Sequence, residues 1–422
     1  MGKLLTFLWL EVPIGSKGPP DSSRQSQIIL KVAVQNLSLI AIGLLAALVV
    51  AEGSARLVRP QSTVEYLVDS EVGQILVPDQ RERWVSRDFD VEVITNDVGF
   101  HDVKHTIDKA EGVYRIVVVG DSYIEGLQVS IEQGFTHQLH RILQQRLTNK
   151  VEVINLGIGG TGPSQYYRRL QKIGMAYRPD LVVMAVHPDN DFWDSYKGLS
   201  DTGAKPFYSI SKDGELQYIP PRPKELQTRM AALARRSALW LLFRTSIANT
   251  NFERWLSRNR ILAAPGAQTE FAQKAIIPVG WYVFVVQPPD PWPEAYQLTL
   301  RMIRESQKLA EQNGAKFLAM LIGSVPMVQS KWKETLSIYP GARHLQFDFD
   351  KPFEAILRLG QEVGFNTVNL VDPFQKDYQA TGQSSSWAHD GHWTPKGHQL
   401  AAEVLSNHIL QNLTAYKLNQ HL

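Results

Sequence analysis

The feature that most constrains the fold is a run of β-branched residues that stops at a glycine. Arg115-Ile-Val-Val-Val119 is followed directly by Gly120-Asp121-Ser122. An unbroken apolar run of this length predicts a strand that is buried on both faces, which is typical of parallel sheets. In α/β proteins the loops after the carboxyl ends of parallel strands hold the ligand-binding residues. Ser122 is therefore predicted to lie at the functional edge of a sheet.

Strand and helix signals alternate from this point to the end of the chain. Four further strands are predicted at 151–156, 181–186, 316–322 and 367–371. The helices predicted between and after them are 131–147, 164–176, 295–313, 353–363 and 395–413. Alternation at this spacing predicts an α/β fold, with a parallel sheet covered by helices on both faces and right-handed crossovers. We expect residues 111–415 to form this domain.

The alternation is interrupted at about residues 194–276, which are expected to form a helical insertion. Polar loops are predicted first, and a long helical stretch follows from 225 to 262. Within it, the apolar residues 238–243 lie between Arg235, Arg236 and Arg244. The simpler interpretation is an insertion helix that packs on the domain. The alternative is a lid or membrane-leaning helix over the site, because an apolar patch between arginines suits an interface.

An apolar segment near the amino terminus predicts a membrane anchor. Residues 32–52 are almost entirely apolar, and about 20 helical residues span the roughly 30 Å hydrocarbon core of a bilayer. Residues 1–31 are then a cytoplasmic leader, and 53–110 a connector with short strands such as 91–94. Because lysines and arginines precede the segment, the prediction is a single-pass protein with its catalytic domain outside the cytoplasm. A cleaved signal peptide and a buried core helix are the alternatives.

Composition excludes several classes of function. The 422 residues have a formal charge of +2 and show no basic patch interleaved with aromatic residues, so nothing predicts binding to nucleic acid. Cysteine is absent, which excludes disulfides, thiolate metal sites and cysteine catalysis.

A second motif supplies an acid and a base. Asp390-Gly-His392-Trp lies just before the last predicted helix. A serine hydroxyl is a poor nucleophile until a base accepts its proton, and a neutral imidazole is suited to that task. We therefore interpret Ser122 as the nucleophile, His392 as its base and Asp390 as the carboxylate that orients the imidazole.

Acyl transfer also needs hydrogen-bond donors for the oxyanion, and the predicted strand ends supply candidates. They are the backbone N–H of Ser122, the backbone N–H of Gly160 in a glycine-rich loop at 157–162, and the side-chain amide of Asn190. These residues follow three successive strands. That order favours an acyl hydrolase or acyltransferase over a chance collection of turns.

Other interpretations remain open for the separate motifs. The glycine loop is also compatible with phosphate binding, but the next strand lacks the acidic residue that binds a ribose. His389, Asp390, His392 and His398 are a possible metal cluster. A non-catalytic glycan-binding protein on the same fold is a third possibility.

In this order the motifs resemble those of the SGNH or GDSL hydrolase family. Gly120-Asp121-Ser122 is similar to the first block, Gly160 aligns with the second, Asn190 with the third, and Asp390 with His392 aligns with the last. Pro188 stands where the third block usually begins with glycine. The resemblance covers about residues 111–200 and 290–412. It implies a flavodoxin-like three-layer α/β/α domain that acts on esters without a metal or organic cofactor.

The last block has a short form, D-x-H-W, which resembles that of family members involved in polysaccharide O-acetylation. Together with the membrane helix, it favours an envelope-associated enzyme. The expected function is a serine esterase that removes O-acyl groups from envelope or extracellular glycans, with lipid esters as the next substrate class. The alternatives are an O-acyltransferase to a polysaccharide and the non-catalytic glycan-binding protein.

Overall fold

The computed structural model describes residues 22–58, 62–222, 237–247 and 269–419. The chain divides into two units, residues 1–59 and 60–422. The first unit contains the helix Ser22–Val58, of which the 28 residues Leu30–Leu57 are long and apolar enough to cross a membrane. Length and composition alone give this result, and a signal sequence would meet the same test.

The second unit is built on a parallel sheet. Two antiparallel hairpins come first, β1 (Tyr66–Asp69) with β2 (Gly73–Leu76) and β3 (Arg81–Val85) with β4 (Asp90–Ile94). The sheet strands among the described residues are β5 (Val113–Gly120), β6 (Lys150–Gly157), β7 (Leu181–Val186), β10 (Lys316–Leu321) and β11 (Asn366–Asn369). A third hairpin, β8 (Phe207–Ile210) with β9 (Leu216–Ile219), lies between β7 and β10 in the chain.

The order of the sheet is β11–β10–β7–β5–β6, and all of its neighbours are parallel. Numbered along the chain as strands one to five, this is the flavodoxin-like order 2-1-3-4-5. The chain moves from β5 outward to β6 and then returns past β5 to β7. Ligands bind at such a reversal, outside the carboxyl ends of the strands. The predicted α/β class, with a flavodoxin-like parallel sheet, is confirmed.

Alternation of side chains along the strands creates two cores. Val117 and Val119 of β5 belong to one buried cluster, and Ile116 and Val118 belong to the other. All four are fully buried, as expected for a strand covered on both faces. The result is three layers, as predicted.

The helices of the second unit account for the outer layers. One cluster includes residues of Phe135–Arg146 and Pro395–Gln411, whereas the other includes residues of Pro163–Lys172, Trp292–Gln312 and Lys351–Val363. The other α-helices among the described residues of this unit are Ser122–Glu125, Pro188–Asp194, Lys197–Ser200, Ala238–Ile247, Glu270–Lys274, Val325–Val328, Trp332–Ser337, Val371–Thr381 and Leu413–Tyr416. Short 3-10 helices occur at Ile131–Gln133, Gly174–Tyr177, Val279–Phe284 and Pro340–His344.

The insertion contains more than helix. Its described part includes the β8–β9 hairpin, which the sequence had indicated as polar loop, and the helix Ala238–Ile247. Within that helix Trp240 and Phe243 are exposed. The rest of the helical stretch predicted at 225–262, including Arg235 and Arg236, lies outside the described residues.

Candidate active site

The nucleophile candidate begins a short helix directly after β5. The Asp121 carboxylate accepts a hydrogen bond from the Tyr123 N–H at 2.9 Å, which caps the helix Ser122–Glu125. The turn is so tight that a Cβ on Gly120 would lie 2.3 Å from a side-chain carbon of Ile124. Glycine is therefore required at the position where the strand delivers Ser122 to the sheet edge.

Ser122, His392 and Asp390 are joined in one hydrogen-bonded chain. The Oγ of Ser122 lies 2.7 Å from Nε2 of His392, and Nδ1 of His392 lies 2.7 Å from Oδ1 of Asp390. If Nδ1 carries the proton toward Asp390, Nε2 is available to accept the proton of Ser122. The His392 and Asp390 side chains are 25% and 22% exposed, so the imidazole is accessible from solvent. This geometry is suited to activating a hydroxyl.

Asp390 and His392 lie in the turn before the helix Pro395–Gln411, and we call this turn the acid–base loop. Within it the Trp387 N–H donates to the His392 carbonyl at 2.8 Å. The Tyr123 hydroxyl donates to the Gly391 carbonyl at 3.2 Å, and its ring lies 5.0 Å from that of His392. The nucleophile helix and the acid–base loop therefore contact each other directly, although 270 residues separate Ser122 from His392.

The glycine-rich loop after β6 lies against Ser122. A Cβ on Gly159 would lie 3.4 Å from Cβ of Ser122, so this part of the loop approaches the serine closely. Gly160 is exposed, has a φ of +65°, and has open space where a Cβ would stand. A left-handed φ of this kind favours glycine. The loop thus presents its backbone beside Ser122.

Asn190 lies in the helix Pro188–Asp194, after β7. Its amide nitrogen donates to Oδ2 of Asp121 at 3.2 Å, and its amide oxygen accepts from Nε1 of Trp193 at 3.1 Å. Pro188 is the first residue of this helix, a position that proline suits because its N–H would have no helical partner. The proline that departs from the third block is therefore compatible with an ordered Asn190.

The structure brings together all the predicted site residues. Ser122, His392 and Asp390 are in contact, Asn190 is bonded to the residue before Ser122, and Gly160 follows the glycine that approaches it. The predicted placement at the carboxyl edge of the sheet is confirmed. The catalytic roles remain predictions.

A buried histidine that the sequence reasoning did not assign supports the nucleophile turn. His187 directly follows β7, with Nδ1 3.7 Å from Asp121 and Nε2 2.7 Å from Asp189. Burial acts to lower the pKa of His187, but Asp189 and Asp121 raise it well above its ordinary value. Burial likewise acts to raise the pKa of Asp121, yet His187 and the Tyr123 N–H hold it below the usual range. The turn is therefore backed by an imidazole that lies between two carboxylates.

Glu125 is a second unpredicted residue, buried at the end of the nucleophile helix. Its carboxyl accepts a hydrogen bond from the Tyr66 hydroxyl at 3.0 Å. Burial raises the pKa of Glu125 from 4.5 to about 7, although Tyr66 and the Gly159 backbone N–H act in the opposite direction. Glu125 thus links β1, the nucleophile helix and the glycine loop.

We expect Glu125→Gln to change how stability depends on pH. Between pH 4.5 and pH 7 the folded state keeps a proton that the unfolded state loses, so the free energy of unfolding falls as the pH rises. The total loss is about 3 kcal/mol above pH 7. Glutamine keeps an acceptor for Tyr66 and removes this slope. Urea unfolding at pH 5 and pH 8 measures the change in the free energy of unfolding between the two pH values. Glu311→Gln, on an exposed helix face, is the control and should keep the wild-type change. Equal slopes in wild type and Glu125→Gln would contradict the expectation.

Lys205 binds the glycine-rich loop that follows β6. Its buried ammonium donates to the Gly160 carbonyl at 2.9 Å, to Ser200 Oγ at 2.6 Å and to Asp194 Oδ1 at 2.5 Å. The Lys205 and Asp194 side chains are 5% and 3% exposed. No short motif marks this residue, since its partners lie in three different segments.

Replacing Lys205 with methionine is expected to lower the free energy of unfolding by about 3–5 kcal/mol, because Asp194 would stay buried without a cation. Chemical denaturation measures the change. The control is Lys104→Met, which removes an exposed ion pair with Asp79 and should cost far less. A similar small loss in both variants would contradict the expectation.

The four residues considered as a metal cluster do not converge. His392 contacts Ser122 and Asp390, and His389 contacts Asp88. His398 is buried, accepts from the Phe135 N–H at 3.2 Å, and has its pKa lowered to about 3 by burial. Across residues 22–58, 62–222, 237–247 and 269–419, no group of three or more His, Cys, Asp or Glu side chains is arranged to hold a metal ion.

No protein-family model and no curated protein matches the sequence. Among solved structures, the chain is similar to an acetyl xylan esterase, AlAXEase, at 12% identity, covering 70% of this chain and 100% of the other with a TM-score of 0.35. It is also similar to a lipase/acylhydrolase from Enterococcus faecalis, at 14% identity, coverages of 73% and 99%, and a TM-score of 0.36.

A third similar structure is LAE5, an alpha/beta hydrolase enzyme from the metagenome of Lake Arreo, Spain. The identity is 12%, the coverages are 71% and 95%, and the TM-score is 0.37. Because the identities are below 15% and the TM-scores below 0.5, these likenesses assign neither a family nor an activity. The fold class rests on the order and direction of the strands, and the chemistry rests on the site.

Proposed function

We propose that the protein is a serine esterase that cleaves O-acyl groups through an acyl-enzyme. The observation that carries the proposal is the chain of two 2.7 Å contacts from Ser122 through His392 to Asp390. Its placement at the reversal of strand order, where α/β sheets bind ligands, supports the same conclusion.

In the first half-reaction Ser122 Oγ attacks the ester carbonyl as His392 Nε2 accepts the hydroxyl proton. The carbonyl oxygen becomes an oxyanion, which the backbone N–H groups of Ser122 and Gly160 and the amide of Asn190 stabilise. One donor of this kind contributes about 2.7–4 kcal/mol to lowering the barrier. Asp390 orients the imidazole and stabilises the imidazolium. Collapse of the intermediate expels the alcohol, which takes the proton from His392.

In the second half-reaction water attacks the acyl-enzyme. His392 accepts a proton from the water, and Ser122 leaves as the hydroxyl when that proton is returned to it. The products are a carboxylic acid and free enzyme. A sugar hydroxyl in place of water gives acyl transfer by the same steps, so the acceptor decides between hydrolase and acyltransferase.

We assign O-acylated envelope or extracellular glycans as the substrate class, with lipid esters second. The short D-x-H-W block and the apolar helix near the amino terminus support this assignment. The same helix supports a single-pass location, with the catalytic unit outside the cytoplasm. Protease treatment of intact cells tests the location: residues 62–419 should be digested, and their protection would contradict it.

The function is tested with the purified full chain and a panel of esters. The panel contains O-acetylated oligosaccharides and short-chain and long-chain aryl esters, each with and without an unacetylated oligosaccharide as acceptor. Release of acetate from the glycans supports the esterase. Acetylated acceptor, detected by mass spectrometry, identifies transfer instead. Glycan binding without turnover of any ester would favour the non-catalytic alternative.

A further inference from the structure

The segment that follows the apolar helix reaches the acid–base loop through the tip of the β3–β4 hairpin. Oδ2 of Asp88 accepts hydrogen bonds from the backbone N–H groups of His389 at 2.7 Å and Asp390 at 2.9 Å. Oδ1 of Asp88 lies 2.6 Å from Nδ1 of His389. Phe89 follows Asp88 in the chain, and the centre of its ring lies 5.7 Å from that of Trp387. Two consecutive hairpin residues thus hold the loop.

The contact covers the Asp88 side chain, although the hairpin tip is on the surface. The Asp88 side chain is 8% exposed, whereas that of His389 is 52% exposed. The pKa of Asp88 is lowered by its hydrogen bond with His389 and by the two backbone N–H groups, even though its partial burial acts to raise it. A carboxylate that accepts such bonds makes them stronger than a neutral acceptor would.

Gly391 contributes no side-chain contact to the acid–base loop. This residue lies between Asp390 and His392, has a φ of +87°, and has open space where a Cβ would stand. The Asp390 carboxylate and the His392 ring are therefore connected through a residue whose side chain contributes no packing. The Asp390 backbone is held by Asp88, and the Gly391 carbonyl is held by Tyr123.

We propose that Asp88 is a positioning residue, which fixes the backbone of Asp390 and thereby aims that carboxylate at His392. The inference rests on the proposed function of the Ser122 site. It makes the hairpin segment part of the catalytic unit, although the sequence indicated only a connector there. The hairpin does not depend on Asp88 for its own pairing, since β3 and β4 pair from Arg81 with Ile94 to Val85 with Asp90.

The test compares three variants of the full chain, using an ester that the wild type cleaves. Asp88→Ala removes the acceptor and is expected to lower kcat by about tenfold to a hundredfold, with KM within about twofold, as expected for a misplaced catalytic group. Asp88→Asn keeps an oxygen for the two N–H groups and should recover most of the rate. Asp90→Ala, in the same hairpin but paired with Arg83, should behave as wild type.

Three results would overturn the inference. They are an unchanged kcat in Asp88→Ala, a loss in Asp88→Asn as large as in Asp88→Ala, and an equal loss in Asp90→Ala. The last would show that general damage to the hairpin is responsible. Ser122→Ala separates this inference from the proposed function. If that variant keeps its activity, the proposed function fails; if it is inactive while Asp88→Ala is normal, only the role of Asp88 fails.

Discussion

Replacing Ser122 with alanine is expected to lower kcat for ester cleavage by about 10⁵–10⁶-fold, because the atom proposed to form the acyl-enzyme is lost. The fold should persist, since Ser122 is only partly buried whereas Tyr123 and Ile124 of the same helix supply the buried packing. Steady-state kinetics measure the loss, and circular dichroism checks the fold. KM should change little if substrate contacts are retained.

The matched control is Ser324→Ala. Ser324 also follows the carboxyl end of a sheet strand, β10, and its Oγ has no hydrogen-bond partner among the described residues. Without a contacting imidazole this hydroxyl is not activated, so its removal should cost less than about tenfold. Equal activity of wild type and Ser122→Ala would contradict the assignment of the nucleophile.

Replacing His392 with alanine should cost nearly as much as removing Ser122. The hydroxyl would lose the group 2.7 Å away that accepts its proton, and the leaving alcohol would lose its proton donor. We therefore expect a loss of about 10⁵–10⁶-fold in kcat. Residues that act as one unit are not additive, so Ser122→Ala/His392→Ala should be no slower than either single variant.

An exposed histidine outside the site provides the control for the His392→Ala variant. His344→Ala, in the 3-10 helix Pro340–His344, should leave kcat within about twofold of wild type. If the double variant lost the product of the two single losses, Ser122 and His392 would act independently, and the proposed mechanism would be wrong.

Local sequence was sufficient for the elements of the sheet. The β-branched run at 115–119 and the apolar run at 181–186 predict strands, because a strand buried on both faces has no polar alternation to obscure it. The predicted strand 367–371 extends too far, because the helix Val371–Thr381 begins at its last residue. There the Asn369 side chain accepts from the Val371 N–H at 2.9 Å, a local bond that competes with continued strand.

The site was predictable only where a residue lies in a recognisable motif, at the end of a strand or just before a helix. Ser122, Gly160 and Asn190 follow successive strands, and Asp390 and His392 precede a helix. Lys205, Glu125 and Asp88 have no such position. Each has one contact that joins distant segments, with Gly160 for Lys205, Tyr66 for Glu125 and Asp390 for Asp88. Asp88, for example, is 302 residues from Asp390. His187 directly follows β7 and was within reach of the same reasoning that selected Asn190.

The central claim is that His392 activates Ser122 as a nucleophile, and covalent capture tests it most directly. The purified full chain is treated with a serine-reactive phosphonate, digested, and the modified peptide is sequenced by mass spectrometry. The account predicts a single adduct on Ser122 that forms in wild type and is almost absent in His392→Ala. An adduct on another residue, or labelling of Ser122 at the same rate without His392, would contradict it.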